Sequence, residues 1–215
     1  MNIRHHLSGP LLMAYSAGQL PEAFSLVVAT HVSLCDDCRS RLLAFDAIGG
    51  ALIDEADEAR MAEDSFEATM ARISGMPQAM PVLASRIMGA VFPAPLRDYV
   101  GGDLSAVKWR SVGMGVRQAI LKTESGATAR LLHIPAGQAV PDHGHRGMEL
   151  TLVLQGAFRD TEDRFGPGDV EIATEDLEHT PVAEPGVDCI CLAATDAPLR
   201  FHLLIPPIAQ PFLRI

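Results

Sequence analysis

Eight residues, His31-Val-Ser-Leu-Cys35-Asp-Asp-Cys38, put three soft metal donors within reach of one another. Spacings of four and three place side chains on one side of a helix, so the imidazole and two thiols converge whether the helix continues or bends between them. Structural zinc takes a closed tetrahedron of thiolate and imidazole, so a fourth donor has to come from elsewhere. Nearby, His5 and His6 are the histidines left to supply it. A CxxC pair can instead be a redox couple, but that chemistry sits at a helix start beside a βαβ pattern, which this region lacks. A second donor set lies at His143, His145 and Glu149. Histidines two apart on an extended chain point to the same side, and Glu149 re-enters on the next strand after a turn that Gly147 permits. With His179 from a neighbouring strand the set becomes three imidazoles and a carboxylate, which suits zinc, iron or manganese. Catalysis there requires an exchangeable coordination position and a substrate pocket; without them the metal is structural or sensory.

The elements that must position these donors fall into two kinds. Ser8 is a credible N-cap with Pro10 in the first turn, and the helix it starts stops at Gly18. Pro21 opens a second helix, PEAFSLVVATH, and CRSRLLAFDAIGGALIDEA forms a third. Asp64-Ser65-Phe66-Glu67 offers a capping pattern for a fourth, whose Phe66, Met70 and Ile73 share one face. Residues 1–74 are therefore expected to be all helical. Prolines 77, 81, 93 and 95 mark residues 75–95 as a linker with a possible short helix around Ala84 to Val91. Residues 96–215 carry short, partly alternating segments (GVRQAILK, ATARLLHI, ELTLVLQGAF, DVEIA, DCICLAA) separated by glycine turns. That spacing predicts an all-β sandwich or barrel, and the whole is an α+β, multidomain chain.

At 215 residues, two small domains are the natural division. No apolar run approaches the roughly 18 residues of a membrane span, and the first residues lack the basic and apolar regions of a secretory signal. Four cysteines in two close pairs differ from a secreted disulfide framework, so a cytoplasmic location is expected. A net charge of -10 opposes direct binding to nucleic acid. A basic protein is the better partner. The acidic cluster from Asp54 to Glu67 is expected to be a solvated face.

Other residues invite plainer assignments. Cys189 and Cys191 face the same way on one strand, where a disulfide has poor geometry, and are expected in a core. His133, His202 and Trp109 are expected as structural residues. Met70, Met76, Met80 and Met88 form either an adaptable surface or loose core filling.

The stretch Gly137 to Gly156 fits G-x5-H-x-H-x3-E-x6-G at every specified position and resembles the first motif of the cupins. That resemblance implies a jelly-roll barrel whose metal is held by His143, His145, Glu149 and His179. Gly-Pro-Gly-Asp at 166–169 resembles the turn of the second cupin motif, although the interval to His179 is long and Ala183 stands where Asn is often found. The front half, HHLSGPLLMAYSAG followed by HVSLCDDC, resembles the zinc-binding anti-sigma domain. By that family's pattern the zinc ligands are His6, His31, Cys35 and Cys38. The two halves in this order resemble the ChrR family of anti-sigma factors. The resemblance implies a regulator whose helical domain holds an extracytoplasmic function (ECF, group IV) sigma factor inactive. Release follows singlet oxygen or related oxidative stress received by the cupin domain. The competing expectation is a cupin metalloenzyme, a dioxygenase or isomerase, with an accessory zinc domain. Direct DNA binding by the helical half is disfavoured by its excess of carboxylates.

Overall fold

The computed structural model describes residues 2–76, 89–198 and 200–201. Four helices form the front half. Helix α1 (Gly9–Ser16) starts where Ser8 accepts a hydrogen bond from the Leu11 amide, and it ends before Gly18, whose φ of 65° suits glycine. Helix α2 (Glu22–Val32) follows Pro21 and is buried on nearly every side from Ala23 to Val32. A helix apolar all round belongs inside a core. Helix α3 (Asp36–Asp54) is its opposite, with Cys38 its one buried residue. Helix α4 (Ser65–Gly75) has no buried residue. The capping pattern expected at its start does not form: Asp64 makes no side-chain cap, and the Ser65 hydroxyl donates instead to the Ala62 carbonyl. The acidic residues from Asp54 to Glu67 are exposed, as expected of a solvated face.

A fifth helix, α5 (Ala94–Val100), begins at the end of the expected linker, runs into the segment expected to be all β, and buries Leu96. Its entry is fixed by Asp103, whose carboxylate accepts the Val91 and Phe92 amides. Of the expected short helix, residues 84–88 lie outside the described residues, as do Met80, Met88 and His202, and residues 89–91 are not helical.

The back half is β-rich. Strands β1 (Arg110–Gly113), β2 (Val116–Ile120), β3 (Thr128–Ile134), β5 (Glu149–Gln155), β8 (Val170–Ala173) and β11 (Cys189–Thr195) make one antiparallel sheet, ordered β1-β2-β3-β11-β5-β8. Two small antiparallel sheets accompany it. One joins β6 (Phe158–Arg159), β7 (Arg164–Phe165) and β10 (Val182–Ala183); the other joins β4 (His143–Gly144), β9 (Glu178–His179) and β12 (Arg200–Phe201). Strand β11 is buried along its whole length because both of its faces are covered. On one face Leu131, Leu150, Leu152, Ile190 and Leu192 join a core with Phe24, Val27 and Val28 of α2. On the other, Val116, Val153, Cys189 and Cys191 pack with Phe158 and Phe165 of the smaller sheet. Each large side chain buried this way contributes roughly 1.5–3 kcal/mol.

The core that covers α2 is thus continuous from helices to sheet. Gly156, which closes the first motif, has φ 68°, and a Cβ there would lie 2.6 Å from the Asp188 carbonyl oxygen. Only glycine fits that turn. No described helix is long and apolar enough to cross a membrane.

Candidate metal centres

His31 sits in the last turn of α2, and a tight turn returns the Cys35 amide to the His31 carbonyl at 2.9 Å. Cys35 then caps α3, its sulfur accepting the Cys38 amide at 3.4 Å. Both thiols therefore lie at a helix N-terminus. His6 arrives from the chain's start, with its Nδ1 3.3 Å from the Cys35 sulfur and 3.7 Å from that of Cys38. Ligating atoms of His6, His31, Cys35 and Cys38 all lie within 4.8 Å of one another. His5 points elsewhere, its ring 4.4 Å from that of Phe165 and its Nε2 3.4 Å from the Asp163 carboxylate. Of the paired histidines, His6 is the one that lies beside the thiols.

The protonation states fit a metal. Burial lowers the His31 pKa to about 4, so its imidazole is neutral. Its Nδ1–H donates to the Gly168 carbonyl at 2.9 Å, which leaves the lone pair on Nε2. That Nε2 is buried with no hydrogen-bond partner among the described residues, an arrangement that a metal ion satisfies. Burial also pushes the Cys38 thiol up to about 11, so ionising it depends on a cation. Two thiols and two imidazoles at these separations fit tetrahedral zinc.

The second centre lies inside the barrel. His143 in β4 and His179 in β9 are register partners, and His145 follows two residues on. Their Nε2 atoms converge, with His179 3.2 Å from His143 and 3.3 Å from His145. All three rings are buried. The outer nitrogens are held in two cases: His143 Nδ1 donates to the Pro141 carbonyl at 2.8 Å, and His179 Nδ1 to Asp160 at 2.9 Å. Burial holds the pKa values of His143 and His145 down, so both rings are neutral. This triad fits a divalent metal. Glu149 is not among the atoms gathered within 4.8 Å; its carboxylate accepts the Thr151 hydroxyl and stands 3.9 Å from His145 Nδ1.

Two carboxylates that the motif did not name surround His179. Glu171 Oε1 lies 3.2 Å from His179 Nδ1, beside Asp160 and hydrogen-bonded to it. Burial pushes Glu171 up to about 7. Burial also acts upward on Asp160, but hydrogen bonds from Glu171, His179 and the Asp163 and Glu162 amides hold it at about 2. His179 is raised to about 9, because its two carboxylates outweigh the burial that would lower it. Both carboxylates face Nδ1, so a cation on Nε2 would take the place of the second proton of the imidazolium that they stabilise. Asp160 gave no signal in the sequence, whereas Glu171, a charge inside the apolar run DVEIA, implies a buried partner. Of the remaining candidates, His133 pairs with Asp188 at 3.1 Å, and Trp109 is half-buried beside it. Cys189 and Cys191 are reduced and buried, their sulfurs 3.5 Å apart.

These two centres can be set beside known proteins. Residues 98–198 match the ChrR cupin-like domain family. Along all 215 residues the chain is 62% identical to the anti-sigma-E factor ChrR of Cereibacter sphaeroides, with 100% of both chains covered. The chain belongs to the ChrR family of anti-sigma factors. Its fold is similar, at a TM-score of 0.81 and 60% identity, to a chain in the crystal structure of Rhodobacter sphaeroides SigE in complex with the anti-sigma ChrR. That similarity covers 91% of this chain and 100% of the other. Membership places both centres in a regulator rather than in the cupin metalloenzyme that the motif alone allowed.

Proposed function

We propose that this chain binds an ECF sigma factor through its helical half, residues 1–74, and holds it inactive in the cytoplasm. The observation that carries the reading is the full-length similarity to ChrR, together with the similarity to a chain solved in a complex of SigE with the anti-sigma ChrR. Zinc on His6, His31, Cys35 and Cys38 fixes α1, α2 and α3 against one another. This matters because α3 and α4 bury almost nothing within the chain. Leu43, Leu52 and Ile53 of α3, and Phe66, Met70 and Ile73 of α4, are exposed, and apolar surface of this kind marks a docking face. The net charge of -10 complements a partner whose own surfaces bind DNA.

The cupin half, residues 96–215, receives the signal. Its metal, zinc in preference to iron or manganese, is held by His143, His145 and His179, with Glu149 as the nearby carboxylate that completes the set. Singlet oxygen or related oxidants modify this centre or side chains around it. The equilibrium then shifts toward free sigma factor. Transcription by the cognate sigma factor, measured with and without this protein, tests the reading. The wild-type chain inhibits, whereas His31→Ala and Cys38→Ser chains with a folded cupin half do not. Unaltered inhibition by both variants would overturn it.

A further inference from the structure

The stretch that delivers His6 has no regular structure of its own, so its position depends on what grips it. After His6 the grip comes from the front half: Leu7 is buried, the Arg41 guanidinium donates to its carbonyl at 3.1 Å, and Ser8 begins α1. Before His6 it comes from the cupin half. One oxygen of Asp169, in the turn between β7 and β8, accepts the amides of Arg4 at 2.6 Å and His5 at 3.0 Å. The Val170 amide donates to the His5 carbonyl at 3.2 Å, closing a short ladder.

Asp169 is itself immobilised. It is 2% exposed, and its second oxygen accepts the Gly166 amide at 2.8 Å. Its backbone is tied to β5, since the Val153 amide donates to the Asp169 carbonyl and the Gly168 amide to the Val153 carbonyl. The neighbouring Gly168 carbonyl accepts His31 Nδ1–H and so orients the second imidazole. Gly168 has φ 91°, a conformation that turns this carbonyl where an ordinary residue would strain.

We propose that the 166–170 turn of the cupin half is the outer shell of the front metal centre, with Asp169 the positioning residue that sets how firmly the ion is held. This rests on the metal reading of the front site. Through Asp169 the turn fixes the approach of His6, and through Gly168 it fixes the tautomer and direction of His31. The two thiols are placed within the front half, by the turn from α2 and the start of α3. The next residue but one, Glu171, touches His179 of the barrel centre, so the same short run reaches both centres.

The full-length protein loaded with cobalt tests this, because thiolate-to-cobalt charge transfer is a signature that only the cysteine-containing centre gives. Loss of that band to a chelator is timed in wild type, Asp169→Ala, Asp169→Asn and, as a control, Asp46→Ala, which removes the Ser16–Asp46 hydrogen bond between α1 and α3. The expected result is release about 10–100-fold faster in Asp169→Ala, the range for loss of an outer-shell partner. Asp169→Asn, which keeps one acceptor oxygen, falls between it and wild type, and Asp46→Ala matches wild type. The band itself shifts in Asp169→Ala. Should Asp169→Ala not fold, Asp169→Asn carries the comparison. Release and spectra equal to wild type in the folded Asp169 variants overturn the proposal, as does equal acceleration in Asp46→Ala. Absence of the band in wild type overturns the front-site metal reading itself, and the proposal with it.

Discussion

The two candidate metal centres are built by opposite strategies. In the front half three donors come from one turn between two helices, the fourth arrives on a segment without regular structure, and His6 remains half-exposed. In the barrel the imidazoles are buried, held by sheet pairing, and backed by two buried carboxylates. The barrel has a core on both faces of its large sheet and keeps its shape from packing. Helices α1 and α2 share that core, but α3 and α4 have almost no such packing, so a cross-link at Cys35 and Cys38 would fix α3 where burial does not. A metal that replaces a missing core is a folding element; a metal inside a finished core is free to be a sensor.

The sharpest way to break this contrast is to remove one ligand from each centre. Cys38→Ser is expected to lose the front ion and with it a structural contribution that reaches about 10–16 kcal/mol in small zinc-folded units at neutral pH. Elemental analysis then shows one ion fewer, and proteolysis cuts within the helices. His145→Ala also loses one ion, but calorimetry is expected to show the barrel still melting cooperatively. If the two variants unfold to the same extent, the contrast is wrong.

A smaller effect separates docking from folding. Ile73→Asp on the exposed face of α4 is expected to weaken sigma-factor binding by about 2 kcal/mol or more, the size of a hot-spot loss, with the melting temperature unchanged. Surface plasmon resonance and a thermal melt on the same preparation would check both halves of that statement. Smaller again is Asp160→Asn. It leaves the three ligating imidazoles in place but weakens the hold on His179, and competition with a chromogenic chelator is expected to show about 10–100-fold weaker metal binding at the barrel centre.

Acidity provides the mildest test. In the metal-free barrel His179 is raised to about 9, so the stability it contributes is complete below its ordinary value near 6.5 and is lost as pH rises through about 9. Glu171, raised to about 7, acts in the same direction, because ionising it above that point charges a buried site. Denaturation of metal-free protein is therefore expected to become easier from about pH 6 to 9. Metal-loaded protein, whose His179 has already given up its proton, should vary less. A metal-free barrel that gains stability over this range would show that Asp160 and Glu171 do not hold an imidazolium.

Much of this was legible in the chain. Four helices and five of the six strands of the large sheet followed from prolines, glycines and apolar spacing, although the cap expected for α4 does not form, and both donor sets stood out because metal chemistry demands few residue types at narrow separations. The remaining features were hidden for physical reasons. Strands of two residues, such as β4 and β9, are too short to display alternation. The largely apolar α2 announced burial but not that the cupin sheet would bury it. The Gly168 carbonyl that orients His31 is a backbone group 137 residues away, and no side chain marks it. Asp160 is one acidic residue in an acidic turn, distinguished only by the histidine it meets across the barrel.

The central claim is that an ion held by His6, His31, Cys35 and Cys38 gives the helical half the shape that captures its partner. Isothermal titration of the full-length protein with the cognate sigma factor, before and after stripping that ion and again after restoring one equivalent of zinc, measures it most directly. Binding should vanish on stripping and return with zinc. Tight binding by protein shown by elemental analysis to carry no metal would contradict it.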